Sequence, residues 1–196
     1  MWLLKVSHLL LASSLLLPFT GSAQAHPAAV RTNPLSVFGG VSGVYTGLSG
    51  GRNLSVSAGA DLGITSFGSY QVAAEIRGLY PLKDGAVDAQ KNLLGGLRVA
   101  RPIGDHLLPF VDVLAGAGQL SYVRPYVNQA GTFAYLRSSS VVYSVGIGTE
   151  VKISPAWSLL ADAQFQRYSV PVGSSTHIVS KPLTIGVAYH LFSGLR

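Results

Sequence analysis

The sequence predicts an all-β fold, an eight-stranded antiparallel up-and-down transmembrane β-barrel. Three observations lead there. Apolar and small polar residues alternate with period 2 in eight separate stretches, and no stretch keeps a helical period. Charged residues make up 11% of the chain, against about 25% in soluble domains, and mean hydropathy is +0.38. Yet no run after the first twenty residues is apolar for the length a membrane helix needs, about 20 residues. An apolar chain without spanning helices carries its hydrophobic residues on alternating strands.

The N-terminus is a separate matter. Met1–Lys5 carries one positive charge, Val6–Leu17 is apolar, Pro18 breaks the run, and Ala23-Gln24-Ala25 has the small-x-small form of a cleavage site. Residues 1–25 are therefore expected to be a cleaved signal peptide. Residues 26–34 read as a short extended leader, 35–192 as the barrel, and 193–196 as a tail.

The first expected strand is Leu35–Thr46, returned by a glycine-rich turn at Gly47–Arg52. The second, Asn53–Thr65, alternates most cleanly. Leu54, Val56, Ala58, Ala60, Leu62 and Ile64 share one face, and Ser55, Ser57, Gly59, Asp61 and Gly63 share the other. A short turn at Ser66–Ser69 leads to the third strand, Tyr70–Tyr80, and Pro81–Ala89 is a longer polar loop. The fourth strand, Lys91–Arg101, turns at Pro102–His106 into the fifth, Leu107–Tyr122. Val123–Leu136 reads as the longest loop. The sixth strand, Ser138–Ile153, turns at Ser154–Ala156 into the seventh, Trp157–Tyr168. Ser169–Ser180 is a loop, and the eighth strand is Lys181–Phe192. The second, fourth and sixth connections are short and the third, fifth and seventh long. Short turns at one end and long loops at the other are the pattern of an outer-membrane barrel.

Alternation alone does not say which face looks inward. A soluble barrel would bury its apolar face and need many charges outside. Here the polar face is mostly Gly, Ser, Ala and Thr, which suits the narrow interior of eight strands, while the apolar face is broad. The apolar face is thus expected to meet lipid. Tyr70 and Tyr80 share that face, and ten residues of tilted strand cover roughly 25 Å, the height of the apolar band between aromatic girdles. Tyr45, Phe67, Tyr122, Trp157 and Tyr189 also fall near strand ends and complete the expected girdles. Asp61, Glu75, Arg77, Arg98, Asp112, Glu150, Lys152 and Asp162 have the opposite parity. In a narrow lumen they must pair, because an isolated buried ion costs several kcal/mol. They are expected to form a structural network that fills the barrel.

The last strand, "TIGVAYHLF", has a polar residue, Gly, aromatic and hydrophobic at Thr184, Gly186, Tyr189 and Leu191. That order resembles the assembly signal of bacterial outer-membrane proteins. With the signal peptide and eight strands, the chain resembles the small outer-membrane β-barrel superfamily of OmpA-like and opacity-type proteins. Phe192 does not end the chain as the family's final aromatic usually does, since Ser-Gly-Leu-Arg follows. The resemblance implies the bacterial outer membrane, insertion by its assembly machinery, contact with the lipid bilayer and lipopolysaccharide, and a monomer with a role in envelope integrity, adhesion or limited permeability.

Motifs for other chemistry are weak. The net charge of +6 comes from scattered Lys and Arg, without a nucleic-acid motif, so no nucleic-acid partner is expected. There is no cysteine, hence no disulfide or thiolate metal site. His106, His177 and His190 lie on separate elements, which gives no metal triad, and no cofactor is expected. A lipid-modifying barrel enzyme would need His and Ser in reach of each other. The Phe-x-His-x-Ser pattern of the deacylases is absent, and His177 and Ser180 are its nearest approach. The chain reads as a non-enzymatic barrel with a structural or surface-interaction role. A narrow porin-like channel and a lipid-modifying enzyme are the alternatives.

Overall fold

The computed structural model describes residues 35–47, 51–82, 89–127, 134–170 and 177–191. The expected signal peptide, leader and tail lie outside the described residues, as do segments 48–50, 83–88, 128–133 and 171–176. Eight strands follow in order: β1 (Leu35–Tyr45), β2 (Arg52–Phe67), β3 (Tyr70–Pro81), β4 (Ala89–Ala100), β5 (Leu107–Val127), β6 (Ala134–Lys152), β7 (Trp157–Tyr168) and β8 (Ile178–His190). Each pairs antiparallel with the next, and β1 pairs with β8. Closure removes both sheet edges, so every strand has a partner on each side.

The connections after β2, β4 and β6 define the turn end; those after β1, β3, β5 and β7 define the loop end. The tightest turn joins β2 to β3. Phe67 pairs with Tyr70, which leaves Gly68 and Ser69 as the whole loop. Gly68 has φ 58°, the sign required at the first central position of a type II′ hairpin turn. The strand reaches Phe67 rather than stopping at Thr65 because a bulge at Ile64 resets the register between Gly63 and Thr65.

Besides shifts of one or two residues, such as β4 beginning at Ala89 rather than Lys91, two regions differ from the sequence expectation. Val123–Leu136 is not a single loop: β5 continues to Val127 and β6 begins at Ala134, with Tyr126 opposite Tyr135. A register shift between Ser121 and Tyr126 interrupts the period-2 pattern there, so the extension is invisible to alternation. β8 begins at Ile178, opposite Tyr168, rather than at Lys181.

The two faces divide sharply. Ile76, Leu93, Val113, Ile147, Leu183 and Ile185 are exposed on the outside although they are strongly apolar. The inside holds the buried side chains, in two apolar clusters with polar groups between them. At the seam Gly40 pairs with Gly186. A Cβ on Gly40 would strike the Ile185 carbonyl, and one on Gly186 would strike the Gly39 carbonyl. The strands approach so closely there that only glycine fits on the inner face.

Candidate functional site

The inner face is the candidate site. Inward parity falls on odd positions in β2 and β3 and on even positions in β4 to β8. This brings charges from six strands to one region. Glu75 lies at its centre. Arg77 Nε donates to Glu75 Oε1 at 2.7 Å, and Arg98 Nε donates to Glu75 Oε2 at 2.9 Å. Arg77 also donates through Nη1 to Asp162 Oδ2 at 2.8 Å, and its Nη2 lies 4.0 Å from Asp112 Oδ2. Arg98 Nη1 reaches Asp61 Oδ2 at 2.8 Å and Glu150 Oε1 at 2.9 Å. Asp112 takes a further bond from Gln164 Nε2 at 2.9 Å, and Ser144 donates to Gln164 Oε1 at 2.7 Å. Two guanidiniums therefore hold five carboxylates, all buried. Planar guanidinium forks suit this role because each can serve several carboxylate oxygens at fixed angles.

Aromatic rings support the arginines. The Arg98 guanidinium lies 3.9 Å from the centre of the Phe110 ring and 5.4 Å from that of Phe38. Arg77 lies 5.0 Å from the Phe38 ring centre. The ring face is negative, so it favours a cation in a site with little water. Phe38 and Phe110 were not singled out from the sequence. Phe110 has the same parity as Asp112, so the alternation of β5 carried a signal. The glycines of the polar face make room for this layer. A Cβ on Gly59 would strike the Phe38 ring, and one on Gly148 would strike the Phe110 ring.

Toward the loop end the filling is uncharged. Asn92 Nδ2 donates to Gln166 Oε1 at 2.8 Å and to the Tyr168 hydroxyl at 2.7 Å. Gln90 bonds Ser180, and Ser180 Oγ donates to the Tyr45 carbonyl at 3.1 Å. Leu94, Leu114, Leu120 and Val142 pack around these groups.

The expected site residues are placed as follows. Asp61, Glu75, Arg77, Arg98, Asp112, Glu150 and Asp162 come together, although they span about a hundred residues of sequence. Lys152 does not join them. It has the same parity as Glu150 but lies exposed at the end of β6, beyond the filled interior. Tyr45, Phe67, Tyr70, Tyr80, Trp157 and Tyr189 are on the outside, with the rings of Trp157 and Tyr189 in tilted contact, their centres 4.8 Å apart. Tyr122 is a correction. It points inward, buried, and its hydroxyl donates to Ser138 Oγ at 3.2 Å. Its even position puts it on the Asp112 face, and its nearness to a strand end says nothing about which face it takes. Thr184 is buried and bonds Ser42 at 2.8 Å, Gly186 is the seam glycine, and Leu191 is exposed.

His190 comes within 2.9 Å of Ser158 Oγ and 3.5 Å of Glu150 Oε2. Both contacts use Nε2. A hydrolytic triad needs the acid on the other ring nitrogen, where it orients the base. The geometry is that of a hydrogen-bonded filler at the turn end.

The fold defines a small, closed, eight-stranded antiparallel barrel of the transmembrane kind. Among solved structures, Neisserial surface protein A aligns with a TM-score of 0.52 at 14% identity, over 80% of this chain and 95% of that one. A designed transmembrane β-barrel aligns with a TM-score of 0.49 at 16% identity, over 81% and 96%. Ail, the attachment invasion locus protein of Yersinia pestis, aligns at 0.47 and 10% identity, over 81% and 97%. The likeness to the Neisserial protein is one of fold. Neither a protein-family model nor a curated protein sequence matches the chain.

Proposed function

We propose that the protein is a monomeric outer-membrane barrel with a structural and surface-interaction role, its lumen closed by the ionic and amide layers and its long connections turned to the outside. The division of faces carries this reading. Val41, Leu54, Ile64, Ile76, Leu97, Val145 and Ile185 are among many large apolar side chains open on the barrel wall. A belt of that kind is far larger than the few hundred Å² a soluble monomer exposes, and lipid is the solvent that suits it. Aromatic side chains at both rims of the belt fit the two water boundaries. The bilayer and lipopolysaccharide are then its immediate surroundings, and the outer-membrane assembly machinery is its route there. The surface exposure in the Neisserial protein's name agrees with a role for the loop end. Side chains fill the interior of so small a barrel, and here Arg77 and Arg98 span it.

The test is conductance. Protein purified from membranes and inserted into a planar bilayer is expected to leave the current at the level of the bare bilayer. Regular conductance steps would show a continuous path and reject the closed lumen in favour of a narrow channel.

A further inference from the structure

The outer face of the barrel has its own charge pattern. Arg52, Lys91, Arg137, Arg167 and Lys181 all have outward parity at the loop end, and all but Lys91 are exposed. The acids of the described strands, Asp61, Glu75, Asp112, Glu150 and Asp162, are all buried inside. Among the described residues, none of the five outward cations has an ion-pair partner. The turn end differs: there Arg101 lies over the Tyr70 ring, and Asp105 sits in the adjoining turn.

Three of the cations converge. Tyr45 pairs with Arg52 on one side and with Lys181 on the other. Arg167 pairs with Val179, two residues from Lys181 on the same face, and also with Tyr143. By strand spacing, Arg52 and Lys181 stand about 10 Å apart and Lys181 and Arg167 about 7–8 Å apart. Directly toward the belt lie Leu54, Leu183 and Phe165, all exposed and apolar. The cations thus stand at the rim, where headgroups replace acyl chains.

We propose that Arg52, Lys181 and Arg167 form a seat for an outer-leaflet glycolipid whose headgroup carries more than one phosphate. Three cations need more than the single negative charge of a simple phospholipid. Tyr45 and Tyr143 present hydroxyls to the sugar at the same level, and Leu54, Leu183 and Phe165 meet the acyl chains. The proposal rests on the reading above that the loop end faces the outer leaflet.

The experiment uses protein purified from membranes and placed in phosphatidylcholine nanodiscs. Retention of bisphosphorylated lipid A and of phosphatidylglycerol is compared by native mass spectrometry. Lipid A is expected to be held more strongly, and less so at high salt. Arg52→Gln, Lys181→Gln and Arg167→Gln should each weaken its retention roughly fivefold, and the triple variant on the order of a hundredfold. Arg101→Gln and Lys152→Gln, at the turn end, should leave it unchanged. Equal retention of lipid A by the triple variant and the parent overturns the seat. Equal retention of the two lipids by the parent overturns the glycolipid assignment. Heat-modifiable gel mobility verifies that every variant is folded. Both rims meet the same lipid in a nanodisc, so failure here would leave the outer-membrane reading standing; protease access to the loops on whole cells tests that reading separately.

Discussion

In the turn-end half of the lumen, Arg77 and Arg98 hold five carboxylates against two phenyl rings. In the loop-end half, Asn92, Gln166 and Tyr168 share uncharged hydrogen bonds among Leu94, Leu114 and Val142. Both halves hold buried side chains, but they fail differently. An ionic layer tolerates little, because removing one partner leaves others charged and buried. An amide layer loses about one hydrogen bond and closes over. Filling a barrel with charge thus concentrates its stability in a few residues, whereas filling it with leucine and amides spreads it.

The largest break in this contrast comes from Arg98→Leu, which strands Asp61 and leaves Glu75 with Arg77 alone and Glu150 with His190 alone. It should cost about 3–5 kcal/mol in urea unfolding of the barrel in vesicles. A loss near 1 kcal/mol would mean that the ionic half is as yielding as the other. Glycine replacements sharpen the comparison. An alanine methyl at Gly148 meets the Ala161 carbonyl 2.7 Å away as well as the Phe110 ring, whereas one at Gly118 meets only the side chains of Val142, Tyr168 and Asn92. Gly148→Ala should therefore cost about 2 kcal/mol, and Gly118→Ala clearly less. Equal costs would remove the distinction between a rigid and an adaptable half. The smallest effect is expected from Asn92→Leu. Gln166 Oε1 keeps a bond from the Tyr168 hydroxyl at 3.3 Å, so the loss should be about 1 kcal/mol.

Much of the barrel was legible in the sequence, for physical reasons. Strict alternation in β2 and β3 sorted Leu54 from Ser55 and Ile76 from Arg77, because one residue of slip would move a whole face. Turn chemistry located Gly68 and the other short connections. Four things were not legible. Where the buried interior stops along a strand is not set by parity, which misplaced Lys152. The long β5–β6 hairpin hides behind its register shift. Which charges meet is set by strand stagger, so nothing in the sequence says that Arg77 finds Asp162 across 85 positions. Rings under the guanidiniums went unnoticed because Phe38 and Phe110 look like ordinary strand residues.

The glycine pair at the seam has a further consequence, which concerns calibre. Sliding β8 by two residues along β1 would keep every side chain on its proper face, so parity does not forbid it. It would, however, bring Thr184 or Ala188 opposite Gly40, where a Cβ has no room. For a fixed number of strands, the stagger at closure determines the radius of the cylinder. Gly40 and Gly186, which touch neither the ionic nor the amide layer through any side chain, therefore set the bore that both layers were shaped to fill.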